Sequence, residues 1–238
     1  NEFLNLEGRK LSTSKNWAVW LHEYLQDFPS QQDVLRYALT ATMPETKDND
    51  FTWADFQQRN NSELVAVLGN FVNRVMVLTH KYFEGVVQQP NVLTDADREA
   101  LAAMTQYGRR IAKSIEAFKF REALNEAMNV ARLGNKYLQE QEPWKVYKQD
   151  AERAGVALFV ATQIMGAAAI VFEPFLPSTA GKLRNMLGLS EGFRWEDTNE
   201  ETIISGGIQL GETTLLFSKI EDEQMEAQRQ KLEAAASP

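Results

Sequence analysis

Apolar residues recur every three or four positions over most of the chain, which predicts a largely helical protein. The longest of these patterns covers residues 52–83. Two further patterns open with a hydroxyl residue followed three positions later by an acid, Ser30 with Asp33 and Thr94 with Asp97. This spacing is typical of a capping box, in which side chains bond to the free backbone N–H groups of a helix start.

Short polar connections join the helical patterns, so the sequence predicts an all-α fold, an antiparallel helix bundle. The further helices are expected over residues 94–118, 120–139, 151–172 and 178–187. Residues 1–29 begin with a short extended pattern, and residues 203–219 are rich in glycine and β-branched residues, which predicts an extended segment or loose hairpin. We therefore expect a linker over residues 1–29 and a helical domain with a C-terminal extension over residues 30–238.

One apolar stretch is long enough to cross a membrane. Residues 154–172 are nearly free of polar groups over about the length that a bilayer requires. Gln163 lies at the centre, much of the stretch is Ala and Gly, and no basic cluster flanks it. These features favour the buried helix of a bundle and no membrane partner. A membrane-anchored helix is the alternative, and solubility without detergent would exclude it.

Composition narrows the possible chemistry. The 238 residues include no cysteine, which excludes disulfides and thiolate metal sites and fits a reducing, cytoplasmic location. Two histidines, His22 and His80, are too few for a histidine metal cluster, so we expect no metal site. The formal net charge of −8 argues against unselective binding of nucleic acid, and any RNA contact must be local.

Residues 10–15 combine cations with hydroxyls in a loop. Lys10, Ser12, Ser14 and Lys15 are groups that can stabilise negative charge on a ligand. The string alone is weak evidence, because many polar turns contain a similar one. No βαβ pattern with a glycine-rich turn accompanies it in this chain.

A second candidate site combines polar and aromatic side chains on two predicted helices. Asn70 and Arg74 are one helical turn apart and lie on one face. Trp144 follows Pro143, which is expected to end a helix and hold the indole at a defined exit. An amide and a guanidinium can each make paired hydrogen bonds to a base edge, and an indole can stack on an unstacked base. The alternative is two surface polar residues and a helix-end staple.

Two asparagines lie close to these residues along the chain. Asn135, near the end of the helix before Trp144, is expected to support that indole or the RNA backbone. Asn73 points about 100° away from Arg74 on an α-helix. We expect Asn73 to hydrogen-bond in the core or between helices.

Two segments resemble the anticodon-binding domain of methionyl-tRNA synthetase. They are residues 61–85 (NSELVAVLGNFVNRVMVLTHKYFEG) and 135–148 (NKYLQEQEPWKVYK), and the resemblance extends over roughly residues 1–190. It implies that Asn70 and Arg74 hydrogen-bond to bases of the CAU anticodon of tRNA(Met). It also implies that Trp144 stacks on the first anticodon base.

Residues 10–15 resemble the KMSKS loop of class I aminoacyl-tRNA synthetases, which acts on ATP phosphates. Thr13 stands at the usual second lysine, so which cation acts is left open. The resemblance implies a parent enzyme that ligates methionine to tRNA with ATP and Mg²⁺. This chain has neither the HIGH-like motif of that class nor the cysteines of its zinc insertion. We therefore expect a C-terminal portion that is inactive and cofactor-free alone, with tRNA(Met) and the missing N-terminal catalytic domain as partners; a homodimer of the parent is left open.

Two other functions are compatible with the pattern. The chain could be the helical domain of another class I aminoacyl-tRNA synthetase, which selectivity among tRNAs would reveal. It could also be a helical protein-interaction module, which would bind RNA without dependence on the anticodon or not at all.

Overall fold

The N-terminal residues form a small three-stranded sheet. The computed structural model describes residues 2–189 and 192–236. Its strands are β1 (Leu4–Leu6), β2 (Arg9–Lys10) and β3 (Asn49–Phe51), in the order β2-β1-β3. β1 pairs antiparallel with β2 and parallel with β3. The β1–β2 hairpin turns at Glu7 and Gly8, whose φ angles of 49° and 73° are those that a two-residue type I′ turn requires.

The sheet includes residues from both sides of the predicted boundary at residue 30. Between β2 and β3 lie the helices α1 (Leu21–Asp27) and α2 (Gln32–Ala41). Because β3 belongs to the later segment and pairs with β1, the two segments pack as neighbours. The boundary itself stays a prediction.

The capping box expected at the start of α2 is wrong. Ser30 has a φ of 62° and lies outside the helix, which begins at Gln32 without a side-chain cap. Asp33 is buried, and its Oδ2 accepts hydrogen bonds from Thr179 N at 2.6 Å and Thr179 Oγ1 at 2.8 Å. Asp33 therefore caps a different helix, 146 residues further along the chain.

The long helix predicted over residues 52–83 is confirmed, with an irregular middle. It consists of α3 (Trp53–Arg59), a π-helical stretch (Asn60–Gly69) and α4 (Asn70–Phe83). Along the apolar stripe of this helix, Leu78 and Tyr82 are partly buried against the core. The other positions are fully buried, namely Leu64, Leu68, Phe71, Val72 and Val75. A π-helix has more residues per turn than an α-helix, so this stretch sets the direction in which the first turn of α4 faces.

The rest of the described chain is predominantly helical, as predicted. The remaining helices are α5 (Asp95–Glu116), α6 (Phe120–Gln141), α7 (Pro143–Val146), α8 (Ala151–Val171), α9 (Pro177–Met186) and α10 (Asp222–Ala235). The capping box predicted for α5 is present: Thr94 N donates to Asp97 Oδ2 at 2.9 Å, and Asp97 N donates to Thr94 Oγ1 at 3.4 Å. α5, α6 and α8 pack side by side and form the centre of the bundle.

α8 is the interior helix of this bundle. Its most apolar 18-residue window is entirely buried, which fits a core helix. The continuous helix Trp53–Phe83 also passes the length and composition criteria for a membrane span, with 39% of its window buried. Gln163 in α8 is satisfied inside the protein, because its Oε1 accepts from Ile203 N and Ile204 N, both at 2.8 Å.

Residues 203–219 return across the bundle as irregular backbone, with a turn at Gly206 and Gly207. A short 3₁₀ turn, Trp195–Asn199, precedes them. Among the described residues of this return, no regular strand forms, and a single bridge joins Val86 to Gln209. α10 then packs beside the N-terminal segment, where Asn16 Nδ2 donates to Ala235 O at 3.1 Å.

Candidate nucleic-acid interface

α4 presents Asn70 and Arg74 on one face, as its spacing predicts. Asn70 is exposed and Arg74 is half-buried. The neighbours Phe71, Val72 and Val75 are buried against the core. Burial of these apolar side chains fixes the rotation of α4 and turns Asn70 and Arg74 toward the surface.

The corner between α6 and α7 positions Trp144. α6 ends at Gln141 because Glu142 adopts a left-handed conformation with a φ of 42°. Pro143 is buried and occupies the first turn of α7, where its missing N–H leaves no helical bond unmade. α6 thus ends just before Pro143, as expected, and Pro143 also begins α7. Trp144 is half-buried in the first turn of α7.

The structure brings the four candidate residues together as two contacting pairs. The Arg74 guanidinium carbon lies 4.8 Å from the centroid of the Trp144 ring, within the range of a cation–π contact. Asn70 Nδ2 donates to Asn135 Oδ1 at 3.3 Å. Asn135 thus bonds to Asn70, a partner that the sequence did not suggest.

The expectation for Asn73 is wrong. Its side chain is exposed, so it does not contribute to the core. Asn73 lines a surface cleft of about 450 Å³ together with Asn70 and Lys219. The cleft lies between the outer side of the π-helical stretch and residues 214–219, and it offers amides, a cation and apolar surface beside the interface.

The charge at the interface comes mainly from Arg74. Burial lowers the pKa of the Arg74 guanidinium from its usual value. Within residues 2–189 and 192–236, no carboxylate forms an ion pair with it. The neighbouring lysines are partly neutralised, because Lys145 pairs with Glu142 at 2.7 Å and Lys136 with Glu140 at 3.7 Å. A half-buried cation without an acidic partner, lying against an indole, is available for an electron-rich ligand.

A buried polar network lies below the α6–α7 corner. Arg153 on α8 donates two hydrogen bonds to the Asp97 carboxylate, at 2.6 and 2.7 Å, and a third to Gln141 Oε1 at 2.6 Å. The hydroxyl of Tyr137 also donates to Asp97. Gln141 is the last residue of α6, so the network fixes the backbone that leads to Trp144.

Hydrogen bonds determine the charge state of Asp97. Burial of the Asp97 side chain raises its pKa, but bonds from Arg153 and Tyr137 outweigh that effect and lower the pKa to about 2. Burial and the bond to Asp97 raise the pKa of the Tyr137 hydroxyl. The carboxylate is therefore ionised, and the phenol is protonated, at neutral pH.

Two tyrosines hold α7 against α4. The rings of Tyr82 and Tyr147 are stacked with their centroids 4.2 Å apart, and Phe83 meets Tyr147 edge-on at 5.6 Å. Sequence reasoning missed this contact and the Asp97–Arg153 pair. The capping box marked Asp97 as a helix start, but it gave no sign of a partner 56 residues away.

The KMSKS-like loop forms a tight turn at the edge of the sheet. Lys10 is the last residue of β2, and Ser12 pairs with Trp17 through two backbone bonds of 2.9 Å. The hydroxyls of Ser12 and Ser14 are 3.2 Å apart, and both Lys10 and Lys15 are exposed. No acid pairs with either lysine in the described part of the chain. This donor set fits an anionic phosphate.

Two family models match most of the chain. The model described as "tRNA synthetases class I (M)" matches residues 1–76, and the model "Anticodon binding domain of methionyl tRNA ligase" matches residues 87–237. The junction between them falls near the end of α4.

Proteins described as methionine--tRNA ligases are similar to this chain in sequence. Methionine--tRNA ligases of Flavobacterium psychrophilum and Christiangramia forsetii are 60% and 59% identical over 98% of this chain. The match covers 34% and 35% of those proteins, so the chain spans about a third of the length of these curated relatives. Methionyl-tRNA synthetase of Mycobacterium tuberculosis in complex with methionyl-adenylate has a similar structure, with a TM-score of 0.82 and 26% identity over 90% of this chain and 42% of that one.

Proposed function

Because the chain belongs to the methionyl-tRNA ligase family and contains its anticodon-binding domain, we propose that it recognises the CAU anticodon of tRNA(Met). We further propose that it does so as part of a longer ATP-dependent enzyme that joins methionine to this tRNA. The observation that carries the proposal is the contact between Arg74 and Trp144 beside Asn70. A planar cation, an indole and an amide on one surface are the groups that bind an unstacked base.

Each of the three side chains has a separate role in this proposal. Trp144 stacks on the first anticodon base, either on its free face or in place of the Arg74 guanidinium. Arg74 donates hydrogen bonds to base edges, and Asn70 donates and accepts them. Asn135 and Pro143 support them, the former through Asn70 and the latter through the start of α7.

The KMSKS-like loop belongs to the other half of the proposed reaction. ATP would bind to the longer enzyme as its Mg²⁺ complex. Its phosphates would contact the loop side chains Lys10, Ser12, Ser14 and Lys15. A catalytic domain supplied by the same polypeptide would hold methionine. We place this enzyme in the cytoplasm, and we leave its dimerisation to a direct measurement of mass.

The experiment that tests anticodon recognition is fluorescence anisotropy with labelled anticodon stem-loops. One hairpin carries CAU and the others carry the same three bases in permuted order, each at two salt concentrations. The first variant is Trp144→Ala, and loss of one stacked base should weaken CAU binding by about 1 to 3 kcal/mol. Trp195→Ala is the matched control, because that indole is also half-buried but lies on the 3₁₀ turn.

The outcomes separate the possible functions. Selective binding of CAU that is lost in Trp144→Ala and kept in Trp195→Ala supports the proposal. Equal binding of all hairpins that falls steeply with salt would mean unselective phosphate contact. Absence of binding by the unmodified chain has two explanations, a protein-interaction module or a domain that needs its catalytic half. The same assay with the longer enzyme distinguishes them. Preference for another anticodon would assign the domain to a different synthetase.

A further inference from the structure

We infer that Asn135 fixes the direction of the Asn70 side-chain amide and thereby selects the kind of base edge that Asn70 recognises. The inference rests on the proposed function and adds to it a positioning residue and a chemical rule for one base. The two amides meet between α4 and α6, joined by the 3.3 Å hydrogen bond from Asn70 Nδ2 to Asn135 Oδ1.

Backbone carbonyls fix the orientation of Asn135. Its Nδ2 donates to Val67 O at 2.9 Å and to Ala131 O at 3.2 Å. A carbonyl oxygen accepts hydrogen bonds and donates none, so the amide nitrogen must face these two atoms. Rotation of the amide by 180° would place Asn135 Oδ1 against two other acceptors. Asn135 Oδ1 is therefore always turned toward Asn70.

Asn135 in turn fixes the orientation of Asn70. Because Asn135 Oδ1 is an acceptor, Asn70 must face it with Nδ2. One N–H of the Asn70 amide is used in this bond, and the second N–H and Oδ1 are left for a ligand. Asn70 is exposed, so it offers a ligand one donor and one acceptor in a fixed order.

Close helix packing keeps the two asparagines at this distance. A Cβ atom added to Gly134, the neighbour of Asn135, would lie 2.2 Å from a ring carbon of Phe71, the neighbour of Asn70. Both Gly134 and Phe71 are buried. α4 and α6 therefore meet at a glycine, and a small separation of the helices would break the bond between the amides.

The fixed amide matches cytosine or adenine. Each of these bases presents an exocyclic amino donor beside a ring-nitrogen acceptor, N4 with N3 in cytosine and N6 with N1 or N7 in adenine. At the same two positions, uracil and guanine present the reverse order, a carbonyl followed by a ring N–H. Uracil repeats the order of cytosine only with N3–H and O2, which lie one position further along its edge and would require the base to shift. Because the RNA backbone runs in one direction through the loop, a base cannot turn over and reverse the order of its edge groups. The order of donor and acceptor therefore decides the fit. In CAU, the first two bases satisfy the rule.

The test compares base selectivity in a double-mutant cycle. Affinities are measured by anisotropy for CAU hairpins in which each anticodon base is replaced in turn by the other three. The proteins are the unmodified chain, Asn70→Ala, Asn135→Ala and the double variant. We expect Asn135→Ala to lower the discrimination against uracil and guanine about tenfold at one position, first or second, and there alone. In the Asn70→Ala background, Asn135→Ala should change nothing further.

Two further variants separate positioning from folding. Asn135→Ser keeps a hydroxyl that can bond to the carbonyl four residues earlier, so it should fold well and still lose the selectivity. Asn129→Ala, also half-buried on α6, should keep it. If the unmodified chain is selective and both Asn135 variants keep that selectivity, the inference is overturned and the proposed function stays intact. If the unmodified chain shows no anticodon selectivity, both the inference and the proposed function are overturned.

Discussion

Arg74 carries both a charge and a planar shape, and the two can be tested separately. Its guanidinium lies 4.8 Å from the Trp144 ring centroid, without an acidic partner in the described part of the chain. Lysine preserves the charge but cannot stack or bond bidentately. If the planar shape of Arg74 contributes more to RNA binding than its charge, replacement by lysine should lower the affinity.

We expect Arg74→Lys to weaken binding of the CAU hairpin about tenfold, or ~1.4 kcal/mol. The slope of the affinity against salt concentration should stay the same, because the number of cations is unchanged. Arg184→Lys is the control. Arg184 is also half-buried, but it lies on α9 and pairs with Glu173. Full affinity in Arg74→Lys would mean that Arg74 contributes charge alone.

At the residue scale, the sequence predicts the hydrogen bonds of side chains whose partners are near in the chain. The Thr94–Asp97 capping box is one such case, because three residues separate the two groups. Asp33 shows the limit: it resembles a local cap but bonds to Thr179. Asn135 shows the same limit, because its role depends on Asn70, which lies on another helix.

At the scale of elements, the interface depends on how closely α6 approaches α4. Gly134 makes this approach possible, since any larger side chain would overlap with the Phe71 ring. Helical periodicity predicts both helices and the buried stripe of α4. It does not predict the π-helical stretch, which is held by distant groups such as Ser218 O, the acceptor of a 2.9 Å bond from Asn60 Nδ2.

We expect Gly134→Ala to lower the free energy of unfolding by about 1 to 3 kcal/mol, because the added methyl group overpacks the contact with Phe71. Gly181→Ala on α9 is the matched control, since the nearest atom to its added Cβ is Arg184 Nη2 at 3.8 Å. That control should be neutral or stabilise the helix by up to about 1 kcal/mol. Urea unfolding measures both, and equal stability of the two variants would contradict the close packing of α4 on α6.

At the scale of the whole molecule, one buried ion pair joins three parts of the bundle. Asp97 lies at the start of α5, Tyr137 and Gln141 lie near the end of α6, and Arg153 lies near the start of α8. These helix ends form the end of the bundle from which α7 and Trp144 project. The stability of that end should therefore depend on the charge of Asp97.

The sign of the pH dependence follows from the lowered pKa of Asp97. The ordinary value is 3.8 and the value in the folded protein is about 2. The folded state therefore binds the proton less readily than the unfolded state. The resulting stabilisation, about 2 kcal/mol, is fully present above pH 4 and is lost as the pH falls from about 4 to 2. Urea unfolding at a series of pH values should show this loss.

Asp97→Asn removes the charge and should change both stability and its pH dependence. At pH 7 we expect the free energy of unfolding to fall by about 3 kcal/mol, because Arg153 keeps a half-buried charge without a carboxylate. Between pH 4 and 2 the variant should lose less stability than the unmodified chain. Asp95→Asn is the control, since Asp95 is an exposed residue of the same first turn and should cost less than about 1 kcal/mol. If Asp97→Asn lost stability with acid as steeply as the unmodified chain, another carboxylate would have to supply the pH dependence. The Asp97–Arg153 pair would then hold the helix ends together without governing their response to acid.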